Sequence, residues 1–379
     1  MESKITAIGI ATPPYKRSQE ETADLISQGF HLKPKQEKLL KSIYKSSGIE
    51  NRYSVISDYG KLPGEFEFFP NQAGESFPTT SARMHLYKEN ALNLALEAIK
   101  NCLNSLDEFD KKEITHLITV SCTGMYAPGL DIEIVQKLEL NSSLKRTTIN
   151  FMGCYGAFNG LKVADAFCQA SPNATVLVVC VELCSLHFQN SFTIENIISN
   201  AIFSDGAAAV LVQGRSMNRK YLSMENFYCD LLPQTNQEMA WSIADSGFDI
   251  VLSAYVPDAI KSGIALFTDK LLQQADYSLD DIDYFAIHPG GMKILQACEE
   301  SLNISVQDNY YSYEVLRNFG NMSSATVLFV LKQIWDDLQA GDENKNIFSC
   351  AFGPGLTLES MILRTGDFSC LQSDLKIRN

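Results

Sequence analysis

The chain has 379 residues, 45% of them hydrophobic and 20% charged, an ordinary globular composition that argues against a disordered or fibrous protein. Its length corresponds to roughly two to three units of about 150 residues. Lys and Arg number 31 against 45 Asp and Glu, a net charge of −14; so acidic a chain grips a phosphate backbone poorly, and nucleic acid is not an expected partner.

The segment Met1–Ile10 carries one Lys and a short apolar stretch ahead of Pro13-Pro14, too short and too weakly flanked for a signal peptide. The longest apolar run, Ala174 to Val181, falls far below the roughly 20 residues that span a bilayer. A cytoplasmic protein without a transmembrane segment is expected. Ten cysteines, at 102, 122, 154, 168, 180, 184, 229, 298, 350 and 370, form no CxxC pair. They read as reduced small hydrophobes, with neither a disulfide framework nor a metal site.

The segment 35–45 places Lys38, Lys41 and Lys45 at offsets of three and seven, on one face of a predicted helix. In a chain this acidic such a stripe has phosphate groups as its natural partner, although a solvated helix face is the plain alternative. From Ala91 to Ser121 the chain shows a helical apolar pattern, an acidic turn and a β-rich run. Ala265 to Pro289 repeats that order with the same Ser-Leu-Asp turn, Ile282 standing 168 residues after Ile114. Each copy continues through a small-residue turn, a helix and two strands. These are Gly153–Gln169, Ala174–Val181 and Gly206–Val212 in the first, and Gly320–Gln339, Ile347–Phe352 and Leu356–Leu363 in the second. Strands of nearly continuous β-branched and aliphatic residues are buried on both faces, and their alternation with helices predicts a layered α/β protein. Two copies predict two central sheets with helices between and outside them, as halves 1–213 and 214–379.

Three residues fall at strand ends or helix starts, where α/β proteins place their chemistry. Cys154, in Gly153-Cys154-Tyr155-Gly156, opens the first copy's helix, where the macrodipole favours a thiolate. His288 ends the second copy's strand and is followed at once by Pro289-Gly290-Gly291, which holds an imidazole at a loop. Asn321, in Gly320-Asn321-Met322-Ser323-Ser324-Ala325, opens the second helix. Taken singly they read as a packed cysteine, a satisfied histidine and a helix cap. Together, a thiol nucleophile, an imidazole and an amide donor are the parts of acyl transfer with a stabilised enolate or oxyanion.

These three motifs, with Gly353-Pro354-Gly355-Leu356-Thr357-Leu358-Glu359, resemble the chalcone and stilbene synthase family, the type III polyketide synthases, along nearly the whole chain from about Thr6 to Arg364. The resemblance implies a thiolase-like αβαβα fold, a homodimer, and acyl-CoA and malonyl-CoA as substrates with no resident cofactor. It makes Cys154 the acyl-accepting nucleophile, and His288 and Asn321 the pair that promotes malonyl decarboxylation and holds the enolate. Phe203 takes the place of a gatekeeper ring, Lys38, Lys41 and Lys45 that of the CoA phosphate contacts, and Gly355 belongs to a loop that shapes the wall. Ser323 of the Asn321 motif is placed with the substrate-binding residues. Cys122, Cys184 and His187 stand where plant members line the cyclisation cavity with Thr, and Ala127 replaces the Met before Pro128. The phrases around Cys122 and Cys184 are similar to bacterial members that make alkylpyrones or alkylresorcinols, so a fatty acyl-CoA starter is expected. The competing expectations are a ketosynthase of the fatty-acid-initiating type, a hydroxymethylglutaryl-CoA synthase, and an inactive thiolase-fold acyl-CoA-binding subunit.

Overall fold

The run Thr175–Leu183 buries every residue, and its side chains divide by parity. Val176, Val178 and Cys180 enter one hydrophobic core, whereas Leu177, Val179 and Val181 enter another. A strand with two dry faces needs helices on both sides of its sheet. The structure, a computed structural model, describes residues 2–366 apart from 73, 107, 216–218, 233–237 and 254. Cys370 lies outside the described residues.

In chain order the first half contains β1 (Ser3–Ala11), β2 (Tyr15–Ser18), α1 (Gln19–Gly29), α2 (Pro34–Ser46), β3 (Asn51–Ser54), α3 (Thr80–Leu103), β4 (His116–Ser121), α4 (Leu130–Lys137), β5 (Lys145–Asn150), α5 (Gly156–Ala170), β6 (Thr175–Leu183), α6 (Ile194–Ile202) and β7 (Asp205–Gln213). The second contains β8 (Leu222–Leu231), β9 (Met239–Ala244), β10 (Gly247–Leu252), α7 (Val256–Ala275), β11 (Tyr284–Ile287), α8 (Met292–Leu302), α9 (Tyr310–Phe319), α10 (Thr326–Asp337), β12 (Asn346–Gly353) and β13 (Thr357–Thr365).

The sheet order is β11-β12-β13-β8-β1-β7-β6-β4-β5. Read outward from its middle, β1-β7-β6-β4 is matched by β8-β13-β12-β11. The senses match too: β4–β6 and β11–β12 are parallel, while β6–β7 and β12–β13 are antiparallel. The two expected central sheets are hydrogen-bonded edge to edge into one nine-stranded sheet, joined by three pairs between β1 and β8 (Ser3–Met224, Lys4–Ser223 and Ile5–Leu222).

Three cores stack the layers. α1 and α3 cover the outer face of the first half, α7 and α8 that of the second, and α5 with α10 fill the centre between strands of both. α3 shows why such a helix forms: Ala91, Leu94, Ala95, Ala98, Ile99 and Cys102 are buried at helical spacing, and Thr79 caps its start by accepting from the Ala82 N–H. It lies so close to β1 that a Cβ on Gly9 would sit 2.1 Å from the Cys102 nitrogen. Among the described residues no helix is long and apolar enough to cross a membrane.

Both central helices are entered through a single 3-10 turn, Gly153–Tyr155 before α5 and Ser323–Ala325 before α10. Cys154 and Asn321 therefore do not open the helices as expected; one sits within the turn and the other ahead of it. The two starts pack together, with Ser324 Cβ 3.3 Å from where a Cβ on Gly156 would stand. The duplication thus brings two remote segments to one place.

Candidate active site

A cavity of about 50 Å³ lies at that meeting point, and Cys154, His288 and Asn321 all line it. Gly153 sets the pose of the cysteine. Its φ is +77°, a left-handed conformation suited to glycine, and a Cβ there would stand 2.2 Å from Pro354 Cδ. The Gly353-Pro354-Gly355 loop therefore presses directly on the turn that carries Cys154.

Asn321 is fixed by both halves. Its N–H donates to the Ile202 carbonyl at 2.9 Å and its carbonyl accepts from the Ser204 N–H at 2.9 Å, which ties it across Phe203. Its Oδ1 accepts from the Ser323 N–H at 2.8 Å and the Thr326 hydroxyl at 3.3 Å, as a cap would. That orients Nδ2, which donates to the Gly290 carbonyl at 3.3 Å and lies 4.0 Å from Cys154 Sγ.

His288 continues β11 by one bond, its N–H donating to the Cys350 carbonyl at 2.8 Å before Pro289 ends the strand. The residue is 1% exposed, and neither ring nitrogen has a hydrogen-bond partner among the described residues. Burial lowers its pKa to about 3, so the ring is neutral and carries one N–H and one lone pair. Two unpaired polar atoms in a dry site are costly, and a ligand that pairs with them relieves that cost.

The thiol of Cys154 corrects a further expectation. Burial pushes its pKa up to about 12, and the charge of Glu182 adds to the rise, against the opposing hydrogen bonds of Ser323 and Asn321. The half-charge of a helix end does not outweigh desolvation, so the resting group is the thiol.

Glu182 is a buried acid of the site that the sequence reading did not single out. It is fully buried and accepts from the Cys122 N–H, the Thr123 hydroxyl at 2.9 Å and the Ser324 hydroxyl. Burial raises its pKa to about 7 despite these bonds. The available signal was an acid ending an otherwise apolar strand. The β9–β10 hairpin was missed as well: Met239, Trp241, Ile250 and Leu252 line the cavity, and nothing in their spacing marked them.

The remaining candidates divide. Cys122 and Ser323 line the chamber, and Cys122 Sγ accepts from the Gly153 N–H at 2.9 Å. Phe203 and Ile250 form a wall shared with a second cavity of about 20 Å³. Cys184 and His187 line that second cavity and not the chamber, contrary to their expected place around the chamber. The chain leaves β6 after Leu183 into a 3-10 turn, Cys184–His187, which carries both side chains away. His187 is locked there, Nε2 on the Thr123 carbonyl at 2.6 Å and Nδ1 accepting from the Phe248 N–H at 3.1 Å. Gly355, with φ +72°, shapes its loop without lining the chamber, and Pro354 lines it instead.

Lys38, Lys41 and Lys45 share the exposed face of α2, opposite the buried Leu40 and Tyr44. None of the three lines the chamber or the apolar groove of about 230 Å³ that adjoins it. Lys41 is held by Asp24 and Glu37, each at 2.7 Å, so its charge is met within the protein. Lys293 lines the groove, at the start of α8.

Residues 2–215 match the family model described as chalcone and stilbene synthases, N-terminal domain, and residues 224–366 match the C-terminal domain model. The chain is 32% identical over 362 residues to the Mycobacterium tuberculosis protein named alpha-pyrone synthesis polyketide synthase-like Pks18, covering 94% of this chain and 90% of the relative. The structure is similar to the C-terminal type III polyketide synthase domain of Steely1, a type I/III hybrid from Dictyostelium, with a TM-score of 0.88, 31% identity and coverage of 96% and 99% of the two chains. It is also similar to PKS-I of the brown alga Ectocarpus siliculosus, with a TM-score of 0.84, 30% identity and coverage of 96% and 98%. Both halves matching one family set aside the ketosynthase and hydroxymethylglutaryl-CoA synthase expectations. The chain belongs to the chalcone and stilbene synthase family and is a type III polyketide synthase, an acyltransferase that condenses acyl units with decarboxylation.

Proposed function

We propose that this enzyme loads an aliphatic acyl-CoA starter onto Cys154, extends it with malonyl-CoA, and closes a pyrone, resorcinol or related ring. The observation that carries the reading is the neutral, unpartnered imidazole of His288 lining the same chamber as Cys154 and Asn321. In loading, a ring nitrogen of His288 accepts the Cys154 proton as sulfur attacks the thioester carbonyl. The departing CoA thiolate then takes that proton, and the ring is neutral again.

Malonyl-CoA next presents its thioester oxygen to the His288 N–H and the Asn321 Nδ2 donor. The carboxylate leaves as CO₂, and its electron pair becomes the enolate that these donors hold. The enolate carbon attacks the Cys154 thioester and expels sulfur, giving a chain longer by two carbons on CoA. Return of that chain to Cys154 starts another round. The apolar walls from Phe203, Met239, Trp241, Leu252 and Phe352 keep water from the acyl thioester. No step requires a resident cofactor.

An aliphatic starter agrees with those walls, and a pyrone product agrees with the alpha-pyrone synthesis named for the mycobacterial relative. A long chain needs more room than the chamber offers, so wall side chains such as Phe203 and Ile250 would have to move aside to admit one. CoA would enter by the apolar groove, which shares Ile202, Leu252, Gly290 and Ile294 with the chamber, with Lys38 and Lys45 toward its phosphates. The exposed edge of β5 supports a homodimer, because its outer side is unpaired among the described residues. A cytoplasmic location suits the nine free cysteines among the described residues.

The test is mass spectrometry of products from malonyl-CoA with aromatic starters and aliphatic ones from hexanoyl- to octadecanoyl-CoA. Pyrones or resorcinols from the aliphatic starters support the reading. Binding of CoA thioesters with neither an acyl-enzyme nor a product would return the chain to a non-catalytic acyl-CoA binder.

A further inference from the structure

Outside the cluster of Cys122, Cys154, His288, Asn321 and Ser323, the side chains lining the chamber are apolar, with one polar atom among them: Nε1 of Trp241. That nitrogen is buried and has no hydrogen-bond partner among the described residues. An indole nitrogen can only donate, and buried indoles usually find an acceptor. Leaving the donor unmet forfeits its hydration with nothing in return.

The ring is also held in place. Trp241 stands edge-on to His187, Phe248 and Phe203, with centroids 5.8, 6.1 and 6.4 Å away. His187 is stacked on Phe248 at 4.1 Å and pinned through both ring nitrogens. Trp241 pairs with Ile250 across the β9–β10 hairpin, and both residues line the chamber. The donor is thus fixed before any ligand arrives, which limits the cost of ordering it on binding.

The chemistry proposed for the site supplies the acceptor. Each extension leaves a carbonyl two carbons beyond the thioester. The thioester oxygen is taken by His288 and Asn321, so the next oxygen needs a donor of its own. We infer that Trp241 Nε1 donates a hydrogen bond to the 3-oxo oxygen of the extended chain, so that Trp241 distinguishes a 3-oxoacyl intermediate from a plain acyl starter. This rests on the polyketide synthase reading and adds a specificity-determining residue to it.

The experiment uses full-length Cys154→Ala protein, which cannot turn over, with 3-oxooctanoyl-CoA and octanoyl-CoA as matched ligands. With Trp241 present, the 3-oxo ligand should bind roughly three- to tenfold more tightly, the range of one neutral hydrogen bond. Trp241→Phe, which keeps a ring and removes the donor, should bring that ratio to about one. A second readout needs no change at position 241. In a Trp335→Phe background residue 241 carries the only indole, and its N–H proton resonance should move downfield with the 3-oxo ligand and not with octanoyl-CoA.

A ratio unchanged by Trp241→Phe, or the same indole shift from both ligands, overturns the inference. Absence of acyl loading and of malonyl-CoA decarboxylation in the unaltered protein would overturn the functional reading and this inference with it. Intact loading with an unchanged ratio would remove Trp241 alone.

Discussion

Strands β4 and β11 hold equivalent places in the two halves, yet β4 runs six residues and β11 four. His116 pairs with Val176 and Tyr284 with Ile347, so four residues further on His288 stands where the first half has Val120. Val120 fills the central core, whereas Pro289 stops the second strand and leaves an imidazole facing the chamber. The helix starts differ in the same spirit: one presents a thiol and the other a carboxamide whose oxygen is occupied by its own turn. Neither half holds both a nucleophile and the donors for its reaction. Duplication supplied two similar frames, and a strand end and a helix start in each diverged into complementary parts.

The largest effect that could break this division is at the nucleophile. Cys154→Ala should remove acyl-enzyme and product altogether, read by intact-protein mass spectrometry and product assay. Product formation near the starting rate would end the assignment of the first half as acyl carrier.

Next in size is His288→Gln, which should lower condensation about 10²–10⁴-fold, the usual range for a displaced acid–base group. The same variant sharpens the claim that the ring rests neutral. Below about pH 6.5 the unfolded chain takes up a proton at residue 288 that the folded chain refuses until about pH 3. The stability conferred by this group is complete above that window and is lost as pH falls through it, by about 1.4 kcal/mol per pH unit. Urea unfolding at about pH 6.5 and about pH 4.5 should show a smaller acid loss in His288→Gln by that slope. An unaltered slope would mean the ring is not buried neutral.

A smaller effect is expected at the wall. Phe203→Leu should shift preference toward longer aliphatic starters by about tenfold, the scale of discrimination available to an apolar pocket, measured as a ratio of kcat/KM values. The smallest effect separates the lysines. Lys38→Ala and Lys45→Ala should raise the KM for malonyl-CoA about threefold, while Lys41→Ala changes it less because Asp24 and Glu37 already meet that charge.

What could be read in the sequence was whatever local chemistry dictates. The apolar run Ala174–Val181 announces a strand with two dry faces, and β6 is that strand. Glycines beside Cys154 and Pro after His288 announce abrupt turns, and the turns are there. The state of the thiol was hidden because it depends on burial, which outweighs the helix end once Glu182 and the chamber close around it. The sites of Cys184 and His187 were hidden because the 3-10 turn they belong to, Cys184–His187, ends the parity of β6. Trp241 was hidden for another reason: its hairpin belongs to neither copy of the repeat, and only packing brings it to the cavity.

The most direct test of shared action by the two halves is the release of CO₂ from malonyl-CoA by the Asn321→Ala protein, measured beside acyl loading of Cys154. A fall of about 10²–10³ in CO₂ release, with the acyl-enzyme still forming, is the expected result. A rate equal to that of the unaltered protein would contradict the account, since the carboxamide 4.0 Å from Cys154 Sγ would then have no part in holding the enolate.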